Sequence, residues 1–507
     1  MGINLKFPPQ TQQNYPIAVR YERRHLLKAF WIGVFVLFLV QVYMVENIAL
    51  PSIAGAILSG IAALYPSYLW CSGKALGMPV FPIFALTYLW TYALPLLSKN
   101  PLVIAYSPES HFFASIAVAI CLGLGTITWF QFVNSPPSYP KKYYALIERK
   151  GDTFFLFILA VGVFFNMYSL GGWFALGGGA FALIRNAILG LNILSVFVLS
   201  YRLGAKELTE KQSKAFFLLL ALYMISSGAT LILRANIGVF CVATAAFVLG
   251  RRKLPTLTIV IVFLLLSLLH YGKDVMRAKY WVGDQQHFVQ PWEYPAWYAE
   301  WAGYSLDYVN KLNKNESQGT KKKESSFYRS SVVQMFLMAQ DKTPRDVPYL
   351  SGKSYAILPQ LILPRFLNPN KIRSHEGTYI LNIHYGRQTR EQTNTTTIAW
   401  GMLAEAYANF GLFGSAGLGI FFGAAYGQAT RWGINTPLLS ARSLFAVLMM
   451  SFAFQTEWTA GVYVAALFQS SATLVGITFV FMKVYRLKEF TNLRQQEAMN
   501  TFWNQEF

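Results

Sequence analysis

Apolar residues in this chain fall into long blocks separated by short polar segments. Most blocks contain about 16 to 22 residues, which lets each one cross the hydrocarbon core of a bilayer as a helix. The pattern predicts an all-α polytopic membrane protein with about twelve spans. They cover residues 29–45, 48–65, 79–97, 112–133, 153–170, 182–201, 215–233, 236–250, 255–271, 410–430, 442–457 and 461–483.

Lysine and arginine lie mainly in alternate connections between these spans. Lys142 follows the fourth span, Arg251 follows the eighth and Lys483 follows the last. Because basic residues mark cytoplasmic loops, both chain ends are predicted to be cytoplasmic. The predicted organisation is a cytoplasmic segment over 1–28, nine spans over 29–271, a large extracytoplasmic loop over 272–395, three spans over 396–483 and a cytoplasmic tail over 484–507.

Composition agrees with a membrane protein and argues against a soluble protein that binds nucleic acid. Of the 507 residues, 54% are apolar and 13% are charged, and the formal net charge is +20. In a soluble protein this charge would suggest nucleic acid, but here much of it flanks apolar blocks, where it sets orientation and contacts anionic lipids. Membrane lipids are therefore predicted partners and nucleic acid is not. The three cysteines show neither a disulfide framework nor metal-ligand spacing.

An aromatic stripe begins the large loop. Trp297, Trp301, Tyr304 and Tyr308 follow one another at helical spacing, so they share one face of a predicted helix. Two interpretations remain open at this point. The helix lies in the headgroup layer, as aromatic belts do, or it forms a platform on which sugar rings stack.

The later part of the same loop is strongly basic and also contains His375 and His384. Guanidinium groups bind phosphate oxygens in pairs, so such a cluster suits a multiply charged anion. Its cations lie within a window of 26 residues and are Arg365, Lys371, Arg373, Arg387 and Arg390.

Several polar residues stand where the membrane should exclude them. Arg234 and Arg185 lie at span ends next to small residues, and Glu405 lies within an apolar helix with Asn409 one turn later. Ionisable groups at such depth are costly unless they are paired or face a wet cavity, so they are candidate functional residues. For Arg234 the alternative is a guanidinium that reaches the membrane surface, and for Glu405 it is a salt bridge to a loop cation.

These features together indicate a lipid-linked diphosphate as the ligand. An anion that is reached from the membrane, on the side away from ATP, is most simply the diphosphate of a lipid-linked precursor. The sequence contains no P-loop, HExxH motif or nucleophile elbow, and no acidic cluster typical of magnesium sites. A mechanism without metal or cofactor is predicted, in which arginines neutralise the diphosphate and a histidine or glutamate orients or deprotonates a hydroxyl.

Two segments, SSGATLILRANIG and TTTIAWGMLAEAYANFGLFG, together with the large basic loop, carry a resemblance to a family. The chain resembles the Wzy-type O-antigen and exopolysaccharide repeat-unit polymerases. These belong to a metal-independent superfamily of membrane glycosyltransferases shared with the O-antigen ligases. The architecture is similar over most of the chain, and the similar motifs lie in 230–240 and 347–414. The ligases carry a His-Asn pair where this chain has Thr396 and Thr397, so it is less similar to them.

The resemblance implies polymerisation of undecaprenyl-diphosphate-linked oligosaccharides at the outer face of a bacterial inner membrane. The lipid-linked glycan would serve as donor and as acceptor, and a chain-length regulator and a flippase would be further partners. Arg234, Arg365, Lys371 and Arg373 match basic positions of the family. Taken together with the chemistry of the residues themselves, Glu405, His375 and Arg365 are predicted to be catalytic, with His384 left open as another proton acceptor. The residues predicted to bind the substrate are Arg234, Arg185, Lys371, Arg373, Arg387, Arg390 and Asn409. A ligase-like transferase and a transporter of polysaccharide or lipid-linked oligosaccharide are the alternatives.

Overall fold

The computed structural model consists almost entirely of helices. It describes residues 24–45, 49–98, 100–135, 142–146, 148–173, 178–251, 253–281, 289–315, 332–363, 368, 371–394, 397–434 and 436–486. Its α-helices are α1 (Arg24–Met44), α2 (Leu50–Cys71), α3 (Val80–Tyr88), α4 (Pro101–Ile104), α5 (Pro108–Asn134), α6 (Glu148–Leu170), α7 (Gly178–Ala205), α8 (Glu210–Gly228), α9 (Leu233–Arg251), α10 (Thr256–Trp281), α11 (Tyr294–Asn315), α12 (Val333–Lys342), α13 (Leu358–Ile362), α14 (Glu376–His384), α15 (Met402–Gly433), α16 (Ala441–Ala453) and α17 (Ala460–Phe481). A π-helical turn at Leu89–Ala93 and a 3₁₀ turn at Leu94–Leu97 continue α3.

Within the described residues, eight helices are long and apolar enough to cross a membrane. They coincide with the first to fifth, ninth, tenth and twelfth predicted spans. Shorter apolar helices at Gly190–Ala205, Ala235–Arg251 and Ala441–Ala453 coincide with the sixth, eighth and eleventh. The predicted seventh span coincides with α8. An all-α membrane protein is therefore confirmed, whereas the number of spans and their orientation stay predictions.

Two helices extend past the predicted spans towards the large loop. The ninth span was predicted to end at residue 271, but α10 continues to Trp281, and α15 starts at Met402 rather than at residue 410. In α15 the early start follows from burial, because every residue from Met402 to Asn409 is buried against other parts of the chain. Tertiary contacts thus stabilise helical turns that hydropathy alone assigns to a polar connection.

The aromatic stripe of α11 packs onto the extended part of α10. Trp297 and Trp301 are buried together with Met276 of α10. The Trp301 indole N–H donates to the carbonyl of Leu269 over 2.6 Å, and the Ser305 hydroxyl accepts from the backbone N–H of Gly272 over 3.0 Å. Buried rings cannot stack on sugars, so Trp297 and Trp301 do not form a sugar platform in this structure, whereas for the partly exposed Tyr304 and Tyr308 both interpretations stay predictions.

The centre of the bundle is the pair α5 and α15. Gly419 and Gly423 of α15 lie so close to the backbone of α5 that an added Cβ would collide with the carbonyl oxygens of Cys121 and Gly125. Small residues allow helix backbones in membranes to approach in this way. The α12 helix and the segment after it pack onto one end of the pair, which we call the loop side.

The structure also contains a small β-sheet, formed by the segment after α5 and the segment after α17. Strand β1 (Lys142–Ala145) pairs antiparallel with β2 (Lys483–Arg486), and the rings of Tyr143 and Tyr485 stack with their centroids 6.0 Å apart. Ala145 also forms a bridge to Ser440, just before α16. The predicted all-α fold therefore needs one addition, a two-stranded sheet that joins the segment after α5 to the end of α17.

Candidate functional site

The candidate site lies on the loop side, where α15 begins and where its geometry is interrupted. Gly401 precedes the helix with φ +83°, and Gly411 breaks it with φ +61° and ψ −143°. Glycine tolerates these angles because it has no Cβ. The helical piece between the two glycines carries Glu405 and Asn409, two of the residues predicted from the sequence.

Glu405 is fully buried and lies between the starts of two other helices. Its Oε2 accepts a hydrogen bond from the backbone N–H of Ala460, the first residue of α17, over 2.6 Å. Its Oε1 has no hydrogen-bond partner among the described residues and lies 3.7 Å from the position that a Cβ on Gly377 would occupy. The carboxylate is therefore out of contact with solvent, is bonded to the first turn of α17 and lies near the first turn of α14.

Asn409 binds protein groups only. Its Nδ2 donates to the Ser354 hydroxyl over 2.9 Å and to the carbonyl of Glu405 over 2.8 Å. Its Oδ1 accepts from the backbone N–H of Gly352 over 2.9 Å. Asn409 was predicted to bind substrate, but these bonds occupy both amide hydrogens. In this structure Asn409 fastens the segment 350–354 to α15, and substrate binding by Asn409 stays a prediction.

The basic segment from Lys371 to Arg390 lies next to the starts of α15 and α17. Thr378 and Thr459 share a hydrogen bond of 2.8 Å, and an added Cβ on Gly461 would lie only 2.9 Å from the carbonyl oxygen of Ser374. The Lys371 ammonium group donates to the carbonyl of Leu361 over 2.5 Å. These contacts, which the sequence does not show, hold the segment that carries Lys371 and Arg373 against the first turn of α17.

Two of the predicted cations are exposed on this segment and form no ion pair with a carboxylate of the described residues. Arg373 and Arg387 are solvent-exposed, and neither forms an ion pair with a carboxylate of the described chain. Arg390 differs, because its guanidinium binds Glu376 through two hydrogen bonds of 2.7 and 3.2 Å. This pairing raises the pKa of Arg390.

The two loop histidines have different surroundings. The His384 Nε2 makes a hydrogen bond of 2.9 Å to the carbonyl of Pro348, so this ring fixes the chain. His375 precedes α14 and stacks on Tyr379, with ring centroids 6.3 Å apart. The ring is partly exposed, and desolvation by the surrounding protein lowers its pKa below the ordinary value. His375 is therefore neutral near pH 7 and able to accept a proton.

The side chains of three predicted residues lie outside the part of the chain that the structure describes. Arg365 lies outside the described residues, as do the side chains of Arg185 in α7 and Arg234 in α9. The backbone of Arg234 is described and belongs to the first turn of α9. Whether these arginines meet Arg373 and Arg387 stays a prediction.

The turn before Arg234 is held in an uncommon conformation by a residue that the sequence analysis missed. Leu231 has φ +58°, a backbone angle that residues other than glycine rarely adopt. Arg277 of α10 donates to the Leu231 carbonyl from Nε over 3.2 Å and from Nη2 over 2.6 Å. Its signal in the sequence was an arginine just beyond the predicted ninth span, where a charge usually marks only a helix end.

Among the described residues, no three histidine, cysteine, aspartate or glutamate side chains come together in a way that could hold a metal ion. The candidate groups on the loop side are the exposed cations Arg373 and Arg387, the imidazole of His375 and the buried carboxylate of Glu405. Chemically, such a group can bind an anion and accept a proton from a neutral nucleophile.

The fold and the spans define the class of this chain as an all-α integral membrane protein. Comparisons with protein-family models, curated proteins and solved structures return no match for it. The assignment of a function therefore rests on the chemistry of the site.

Proposed function

We propose that the protein is a membrane glycosyltransferase that polymerises oligosaccharides linked to undecaprenyl diphosphate. The observation that supports this proposal is the position of the basic segment, which carries the exposed residues Arg373, Arg387 and His375 and packs against the start of α17, beside the buried Glu405. A lipid-linked diphosphate carries its charge at the membrane surface, where exposed arginines can bind it.

The proposed reaction uses the energy stored in the diphosphate ester. A hydroxyl of the acceptor glycan attacks the anomeric carbon of the donor, a new C–O bond forms, and the bond between that carbon and the diphosphate oxygen breaks. Arg373 and Arg387 stabilise the charge of the leaving undecaprenyl diphosphate. His375 accepts the hydroxyl proton, because its lowered pKa keeps the ring neutral.

The proposed location is the outer face of a bacterial inner membrane, with the loop side facing the periplasm. Basic residues in the connections opposite the large loop support this orientation. Arg365 and Arg234 are proposed as further diphosphate ligands because their segments resemble the polymerase family, and Arg185 is proposed because an arginine at a span end beside glycines can meet an anion.

Reconstitution of the purified protein tests the proposal. Proteoliposomes would receive undecaprenyl-diphosphate-linked oligosaccharides extracted from a bacterium whose own polymerase gene is deleted. We expect a ladder of longer lipid-linked glycans and release of undecaprenyl diphosphate, also in the presence of EDTA. Transfer of single units to another acceptor would instead indicate a ligase. Movement of unaltered lipid-linked oligosaccharide across the bilayer would indicate a transporter.

A further inference from the structure

The buried carboxylate of Glu405 meets the N-termini of two helices at once. Its Oε2 bonds the N–H of Ala460, where α17 begins, and its Oε1 lies next to Gly377, the second residue of α14. The N-terminal turn of a helix carries unsatisfied N–H groups and a partial positive charge. The bond from Ala460 offsets part of the cost of burying the carboxylate, and the first turn of α14 packs beside its other oxygen.

Gly377 packs closely at this approach. A Cβ at this position would lie 3.2 Å from Ile357 Cδ1, 3.4 Å from the Ser354 carbonyl oxygen and 3.7 Å from Glu405 Oε1. The first turn of α14 therefore lies beside both the carboxylate and the segment that contains Ser354. The same turn begins directly after His375 and three residues after Arg373.

Further contacts connect the same three elements. Thr378 bonds Thr459 just before α17, and the carbonyl of Ser374 rests against Gly461 in its first turn. Asn409, one turn after Glu405, binds Ser354 and Gly352. Glu405 thus lies at the centre of the junction between α15, α17 and the loop segment.

Full burial excludes contact between Glu405 and an acceptor hydroxyl in this arrangement. The glutamate can still affect ligand binding through the segment that it holds, because the cations and the imidazole of that segment are exposed. A group that binds ligand has to be held in place by its neighbours, or ordering it costs affinity.

We propose that Glu405 is a positioning residue that docks the first turn of α14 onto α17, and so fixes Arg373 and His375 for diphosphate binding. This inference rests on the proposed function for the identity of the ligand. The docking itself does not depend on that function and can be measured separately.

Four variants of the full-length protein in nanodiscs test the docking. Glu405→Ala removes the oxygen that accepts the hydrogen bond from Ala460, whereas Glu405→Gln keeps one oxygen that can accept this bond. Gly461→Ala leaves Glu405 intact and pushes against the carbonyl of Ser374. Gly476→Ala is the matched control in the same helix, because an added Cβ there meets no atom within 4 Å.

The first measurement is hydrogen exchange of peptides that cover 374–384. We expect faster exchange in Glu405→Ala and Gly461→Ala, a smaller increase in Glu405→Gln, and the wild-type rate in Gly476→Ala. If Glu405→Ala does not fold, Gly461→Ala still tests the docking, because it leaves Glu405 in place. Unchanged exchange in Gly461→Ala, or in a folded Glu405→Ala protein, would overturn the proposal.

The second measurement is the dissociation constant for undecaprenyl diphosphate. We expect Glu405→Ala to raise it roughly tenfold, which corresponds to about 1.4 kcal/mol, and Glu405→Gln to raise it less. If Glu405 acted only as a proton acceptor, both variants would bind like the wild type, and the positioning role would be wrong. Failure of the wild-type protein to bind this lipid would contradict the proposed function, while hydrogen exchange would still decide the docking.

Discussion

Arg390 and Glu376 form a two-point ion pair across 14 residues of the chain, with hydrogen bonds of 2.7 and 3.2 Å. The pair joins the start of α14 to the segment after it, and the Arg390 guanidinium also lies over the ring of Tyr379 at 5.8 Å. Arg390 was predicted from the sequence as a ligand for diphosphate, but in this structure its charge is already matched. The cations that remain exposed nearby, Arg373 and Arg387, therefore become the residues to test first.

Replacing Arg373 or Arg387 by Gln should weaken binding of undecaprenyl diphosphate. Loss of a hydrogen bond to a charged group costs about 1.5 to 3 kcal/mol, or roughly one to two orders of magnitude in the dissociation constant. Arg345→Gln is the matched control, because Arg345 is exposed but pairs with Asp346. Equal affinity in all three variants would contradict the assignment of the anion site.

Substitution of Arg234 or Arg365 by Ala should abolish formation of long glycans while the protein remains in the membrane. Both residues are expected to neutralise the leaving diphosphate, a contribution that is large in transition states where charge develops. The measurement is the length distribution of glycans in cells that carry each variant, together with the amount of protein in the membrane fraction. Normal ladders in both variants would argue against a diphosphate site at these arginines.

The rate of polymerisation should depend on the protonation of His375. Desolvation lowers its pKa, so the ring stays neutral and able to accept a proton at a pH below the ordinary value of about 6.5. The rate should therefore be constant near pH 7 and fall only as the pH drops through this lowered pKa. His375→Gln should lower kcat and remove the acidic limb of the profile. A profile that keeps this limb in the variant would assign the proton acceptor to another group.

Gly411→Ala should destabilise the protein, because Gly411 has a positive φ and an added Cβ would lie 2.9 Å from the Tyr349 hydroxyl. A left-handed backbone costs a residue other than glycine about 1 to 2 kcal/mol. Thermal unfolding in detergent should show a lower Tm. Gly417→Ala, in an open position of the same helix, should leave the Tm unchanged or raise it. A Tm for Gly411→Ala equal to that of Gly417→Ala would show that the break in α15 is not strained.

Removal of Arg277 should loosen the turn that precedes Arg234. Arg277→Gln loses the two hydrogen bonds to the Leu231 carbonyl, which hold that residue at positive φ. Faster hydrogen exchange in peptides over 228–236 is the expected result. Arg251→Gln, an exposed change at the other end of α9, should leave these peptides unaffected, and equal exchange in both variants would exclude a bracing role for Arg277.

Hydropathy was sufficient to predict the helices that form the bundle, because apolar blocks of bilayer length have few other stable arrangements. It failed at the loop side for a physical reason. Residues Met402–Asn409 include polar groups, and only contacts with distant segments, such as Ala460 with Glu405, make their burial favourable. The start of α15 therefore could not be located from local composition.

The candidate site was predicted in part. The sequence correctly singled out Glu405 and Asn409 as unusual, because polar groups in an apolar helix require partners. It could not show that those partners are backbone groups of 352 and 460 and the hydroxyl of Ser354, which lie far away in the chain. Thr378 and Thr459 gave no signal at all, since a threonine in a loop has many common roles.

The contact between α5 and α15 determines where the bundle is able to open. At Gly419 and Gly423 the two backbones touch without intervening side chains, so no change of rotamer can widen that interface. Of the most apolar stretch of α1, in contrast, only 6% is buried by the rest of the chain. Lateral passage of a long isoprenoid tail would therefore displace peripheral helices such as α1, and the pair that carries Glu405 would stay fixed throughout the cycle.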